Sequence, residues 1–252
     1  MAYILLSFGC LGEYPDIYPE RLGSVLCEEK MTPLVWLRNN SYFVAATLSL
    51  LISVIVLSVL ASRSTPLPGD RRVIDLVQSI DLPGFGILME LVTYLGFIVP
   101  VLIVLALVAG TFWRFGYRLE SFFVILSFSD EVIGTIVKAI VQRPRPTVDV
   151  GDGWLVPATS SFPSGHAVHF TVFFGLLMFL THTVIERGWL RVAIYITATS
   201  LIILVGFSRI YLEAHWPSDV LGGYLIGSLW LLILIRAYQA VRGHRTIRRR
   251  GR

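Results

Sequence analysis

The chain has 252 residues, of which 55% are hydrophobic and only 15% charged, and its mean hydropathy is +0.71. That balance excludes an ordinary water-soluble globular domain and points to a membrane protein. The formal net charge of +4 is no sign of nucleic-acid binding, because seven arginines are concentrated between Arg236 and Arg252, where a membrane protein places a cytoplasmic anchor.

Residues 1–40 carry scattered acids, prolines and a short apolar run, Tyr3 to Phe8, with no basic residue ahead of it. The secretory-signal pattern is therefore not met, and the segment is read as an N-terminal cytoplasmic piece, with Met31 as an alternative start. Cys10 and Cys27 lie there without metal-ligand spacing, so neither a disulfide framework nor a zinc site is expected. A membrane crossing needs roughly 20 mostly apolar residues. The first such run is Tyr42–Ala61. A Pro/Gly/Arg stretch follows, and then Val73 to Ile80, where apolar residues recur at helical spacing among charges, as in a short helix lying in the interface.

Further spans are expected at about Leu91–Trp113, Leu119–Val141, His166–Val184, Leu190–Phe207 and Asp219–Ile235. The predicted fold is thus all-α: six transmembrane helices in one bundle over residues 41–236, one interfacial helix, and a basic cytoplasmic tail over 237–252. With that tail inside and six crossings, both termini are cytoplasmic. So are the connections holding Arg114/Arg118 and Arg187/Arg191. Residues 142–165 and 208–218 then share the outer side of a plasma (inner) membrane. Arg63, Arg71 and Arg72 in the first outer loop run mildly against the charge bias.

Both outer segments are rich in chemistry. Lys138 ends the third span, Arg145 follows in Arg143-Pro144-Arg145-Pro146, and Arg209 ends the fifth. Brought together, two guanidiniums and an ammonium make a pocket for an anion such as phosphate; taken singly, each would read as a residue snorkelling to lipid headgroups. Ser164 and Gly165 open the fourth span, where free backbone N–H groups and the positive helix end suit a phosphate, although plain helix capping uses the same residues. His166 follows directly. His215 and Asp219 are four apart, so a helix beginning early enough would let the carboxylate hold one imidazole nitrogen and leave the other to attack. Two histidines and an acid also resemble a metal set, but three nearby cations oppose a divalent ion and no further acid is in step with them.

Lys138-x6-Arg145-Pro146, Pro163-Ser164-Gly165-His166 and Ser208-Arg209-x5-His215-x3-Asp219 together resemble the three-part signature of the type 2 phosphatidic acid phosphatase (PAP2) family, whose site is similar to that of the vanadium haloperoxidases. The resemblance covers residues 138 to 219 and extends loosely to the six-helix layout. It implies a lipid phosphatase that needs no metal or other cofactor. His215 would be the nucleophile, Asp219 its orienter and His166 the acid for the leaving oxygen. Lys138, Arg145, Ser164, Gly165 and Arg209 would hold the phosphate. Phosphatidate, phosphatidylglycerol phosphate, a polyprenyl diphosphate and the phosphates of lipid A all fit as substrates. The implied reaction passes through a phosphohistidine on His215; a phosphotransferase that hands this group to an acceptor other than water, and an anion transporter lined by the cations, are the alternatives, with membrane lipids as the expected surroundings and oligomeric state open.

Outside the signature, Asp130 and Glu131 inside the third span read as structural partners of polar groups or as a proton or substrate feature, and His169 as a packed neighbour of His166. His182 and His244 read as surface residues. Trp154, Trp216 and Tyr211 suit an interfacial aromatic belt.

Overall fold

The computed structural model describes residues 41–146 and 160–250, the side chains of 244–250 excepted. The calls on Cys10, Cys27, Trp154 and the side chain of His244 lie outside the described residues. The chain divides into two compact units, 1–49 and 50–252. Of the first, only the opening turns of helix α1 (Ser41–Arg63) are described.

All regular structure among the described residues is helical: after α1 come α2 (Asp70–Gln78), α3 (Phe85–Tyr94), α4 (Ile98–Arg114), α5 (Arg118–Ser127), α6 (Asp130–Val141), α7 (Gly165–Val184), α8 (Trp189–Tyr211) and α9 (Pro217–Arg250). Four helices, α1, α7, α8 and α9 over Pro217–Gly243, are long and apolar enough to cross a membrane. The expected second span is the pair α3 and α4, bent by 66°, which makes a fifth if taken as one. The bend falls at Gly96, and Pro100 sits in the first turn of α4, where its missing N–H costs no helical bond.

The expected third span is the main departure. It is two shorter helices, α5 and α6, interrupted at Phe128-Ser129. Ser127 Oγ donates to the Val124 carbonyl and Ser129 Oγ to that of Leu126, both at 2.6 Å, so the hydroxyls compete with the helical ladder at the break. Asp130 and Glu131 then open α6 in its first turn, where the positive helix end favours acids.

Helix α7 is the centre of the second unit and packs chiefly on α9 and α8. Phe173, Leu176 and Leu180 face a cluster with Leu105, Leu119, Phe123, Leu231 and Tyr238. Val168 and Val172 face another with Val141, Phe162, Ile226 and Leu234. Exposed Leu, Ile and Val line the outer faces of α1, α4 and α8, as expected where the solvent is lipid. The close approach of α9 to α7 depends on Gly223. A methyl group there would stand 2.7 Å from Ala167 Cβ and 2.8 Å from the Ser164 carbonyl oxygen. Helix α9 continues through the basic segment to Arg250.

Candidate active site

The last turn of α6 carries Lys138, and Gln142 closes the helix in the left-handed conformation with φ 50°. The chain on either side of residues 147–159 is then stitched together. Ser160 Oγ donates to the Lys138 carbonyl at 3.0 Å, Ser161 N–H to that of Arg143 at 2.7 Å, and Ser161 Oγ to that of Pro144 at 3.1 Å. This brings Lys138 and the arginines beside the start of α7, and a methyl added to Gly165 would lie 3.7 Å from Lys138 Nζ.

Ser164 occupies the N-cap position of α7, yet its side chain makes no capping hydrogen bond. Its Oγ is buried without a hydrogen-bond partner. A buried hydroxyl left in this state costs about 1–3 kcal/mol, which plain capping would have avoided. One residue into the helix, His166 Nε2–H donates to the Thr93 carbonyl at 3.2 Å, and the ring meets Phe97 edge-on at 5.7 Å. Room for the imidazole comes from the α3–α4 bend: a Cβ on Gly96 would be 2.1 Å from His166 Cδ2.

His215 lies in the turn before α9, not in the helix, and is fully buried. Its backbone N–H donates to the Arg209 carbonyl at 3.2 Å, beside that of Ala214 at 3.1 Å, so the end of α8 fixes the residue directly. Arg145 donates to the Ala214 carbonyl at 3.1 Å and towards that of Ser160 at 3.4 Å. The partner of the His215 ring differs from the one expected. Nδ1 lies 2.7 Å from the Ser161 carbonyl oxygen and 3.7 Å from Asp219 Oδ2. A carbonyl only accepts, so Nδ1 carries a hydrogen. Ser161 is thus the nearer orienter. Sequence reasoning missed it because a backbone carbonyl leaves no side-chain signal.

Asp219 stands in the first turn of α9 and reaches back to the Trp216 N–H at 2.9 Å, the reciprocal half of a capping box. Its other oxygen accepts from Arg143 Nη1 at 2.5 Å. Its carbonyl accepts the Ser164 N–H at 3.1 Å, which joins the starts of α7 and α9. Lys138, Arg145, Ser164, Gly165, His166, Arg209, His215 and Asp219 therefore converge from four helix ends on one locus.

Trp216 is buried and does not belong to an exposed belt. Its Nε1–H donates to the Pro144 carbonyl at 3.0 Å, and the guanidinium of Arg143 lies over its ring at 5.8 Å. Asp130 pairs with His169, Oδ2 to Nδ1 at 3.0 Å, and the imidazole stacks on Phe173. Both groups are buried, so each answers the other's polarity in the bundle interior, as the structural reading of Asp130 expected. With Glu131 they place three donor atoms within 4.8 Å of one another, a spacing that suits a metal ion by distance, but the group includes no residue of the locus around His215.

Comparison with known proteins places this site in context. The profile of the PAP2 superfamily matches residues 119–242. The chain is 28% identical over 198 residues to phosphatidylglycerophosphatase B of Bacillus subtilis (strain 168), covering 75% of this chain and 93% of that protein. It is 34% identical over 106 residues to an undecaprenyl-diphosphatase of Sulfolobus acidocaldarius, covering 41% of this chain and 47% of that one. Among solved structures, a transmembrane PAP2 type phosphatidylglycerolphosphate phosphatase from Bacillus subtilis superposes with a TM-score of 0.64 at 24% identity, over 77% of this chain and 96% of the other. The fold is shared.

Proposed function

Because residues 119–242 make this chain a member of the PAP2 superfamily, we propose that it is an integral membrane phosphatase that hydrolyses a lipid phosphate or diphosphate through a phosphohistidine, without a metal ion. The observation that carries the reading is the buried His215 ring, held by the Ser161 carbonyl at Nδ1 so that Nε2 is the attacking nitrogen. In the first step Nε2 bonds to phosphorus while the bond from phosphorus to the lipid oxygen breaks, and that oxygen takes a proton from His166. In the second, His166 removes a proton from water, which attacks phosphorus, frees His215 and releases phosphate. Lys138, Arg145, Arg209, the Ser164 hydroxyl and the Gly165 N–H hold the equatorial oxygens. Such electrostatic positioning is the chief means of accelerating phosphoryl transfer.

Phosphatidylglycerol phosphate is the leading substrate, because the similarity to phosphatidylglycerophosphatase B spans 93% of that protein. A polyprenyl diphosphate is second, since the undecaprenyl-diphosphatase matches over 47% of its length. The headgroup enters sideways between helices, as the nucleophile is enclosed on all sides. Reading α5 with α6 as one further crossing gives six spans over 41–236, with both termini cytoplasmic and the site on the extracytoplasmic side.

The test is phosphate release by the purified full chain in detergent, across those substrates and in excess EDTA. Activity that survives EDTA and is lost in His215→Ala supports the reading. Full activity in His215→Ala overturns it.

A further inference from the structure

Helix α2 is only nine residues long, yet it meets the catalytic turn at both of its ends. At its start, the Asp70 carboxylate accepts the Ser218 N–H at 3.0 Å and the Ser218 hydroxyl at 2.7 Å. Ser218 lies in the opening turn of α9, so a side chain from another helix satisfies one of the backbone donors that α9 itself leaves unpaired. The same carboxylate accepts from Arg143 Nη2 at 2.8 Å, while Arg143 Nη1 serves both Ser218 Oγ, at 2.7 Å, and Asp219. At the other end, Gln78 Nε2 donates to Glu213 Oε1 at 2.7 Å and towards the Tyr211 carbonyl at 3.3 Å. Glu213 has φ 49°, a conformation that non-glycine residues seldom adopt, two residues before the nucleophile. Between these ends, the Arg71 guanidinium covers the Trp216 ring at 5.1 Å.

Arg143, Asp70 and Asp219 are all buried. Arg143 is one cation shared between two carboxylates, and removing it would leave both acids desolvated and without a charge partner. We propose that α2 is a positioning element for the catalytic turn, and that Asp70 and Arg143 are positioning residues that set the orientation of Asp219 and, through it, of His215. The inference rests on the phosphatase reading above. Neither residue touches the phosphate; each acts through the start of α9. Arg143 holds Asp219 Oδ1, which leaves Oδ2 on the Trp216 N–H and 3.7 Å from His215 Nδ1.

A positioning role has a signature that packing alone lacks: the rate falls while substrate affinity holds, and a variant that keeps the charge recovers part of the rate. Steady-state phosphate release from phosphatidylglycerol phosphate in detergent micelles, measured for the full chain, reads this directly. Arg143→Gln is expected to lower kcat at least about tenfold with KM within about twofold, because a catalytic group displaced by an ångström costs rate more than affinity. Arg143→Lys, which keeps the cation, should recover part of that loss. Asp70→Asn should lower kcat less, though by more than about twofold, and the double variant should be no worse than Arg143→Gln alone, since the two residues share one network. Asp75→Asn, exposed on the same helix, should match the wild type.

Single variants with kcat within twofold of wild type would overturn the proposal, as would a rise in KM alone or an Arg143→Lys variant no better than Arg143→Gln. Should Arg143→Gln fail to fold, Asp70→Asn keeps the side-chain shape and carries the same split between kcat and KM. Loss of activity in His215→Ala alongside wild-type behaviour of both variants would remove the positioning role and leave the phosphatase reading standing. A wild-type chain inactive on every lipid phosphate would remove that reading instead.

Discussion

Ser164 shows how a single side chain separates two uses of the same motif. A serine before a helix usually caps it, and the sequence reading kept that option beside the phosphate cradle. The structure leaves the hydroxyl buried and without a protein partner at the mouth of α7, so the helix draws no cap bond from it. Ser164→Ala should therefore leave thermal stability unchanged or slightly improved. It should lower kcat about 10²-fold, the usual cost of removing one donor from the oxygens that gain charge in the transition state. Calorimetry in detergent beside initial rates checks both halves; a large loss of stability with unchanged kcat would restore the capping role. His169 is the complementary case. It was read as a packed neighbour, and it is one, but its partner Asp130 is 39 positions away and could not be named from spacing.

Element by element, helices whose borders coincide with composition shifts were legible: α1, α7, α8 and the apolar part of α9 fall within a few residues of the runs read from sequence. The span expected at Leu119–Val141 was not, because hydropathy averages over a break that two serine hydroxyls make locally. Packing distance was also invisible. Gly223 is one of several glycines on α9, and only the fold reveals that it holds the α7 and α9 backbones in contact at the site. Gly223→Ala should push Ala167 and the Ser164 carbonyl away and destabilise the protein by about 1–3 kcal/mol, since backbone cannot yield as a flexible side chain does. A lowered melting temperature with a parallel loss of kcat is the expected result, and a neutral outcome would show that α9 can shift without cost.

For the whole molecule, the orientation rests on charge bias rather than on a contact. With Cys10 and Cys27 replaced by serine, a single cysteine at the exposed Ser79, just after α2, should react with a membrane-impermeant maleimide added outside intact cells. One at exposed Gly188, in the connection from α7 to α8, should react only after lysis. The reverse pattern would put the site inside the cell and invert the proposed topology.

The linear chain by itself determined the class of the molecule and pointed to the groups proposed to react. Apolar runs of membrane length are a local property, and the signature residues cluster at helix ends where ionisable groups are costly unless they have work to do. The relations among those groups were decided by tertiary structure alone. The carbonyl of Ser161 orients His215, Gly96 makes room for His166, and Asp70 reaches Arg143 across 73 positions. Each depends on a backbone atom, an absent side chain or a pairing at no regular interval, and the physical reason is the same in all three: hydrogen bonds and steric room are set by distance in space, which periodicity along the chain does not encode beyond a helical turn or two.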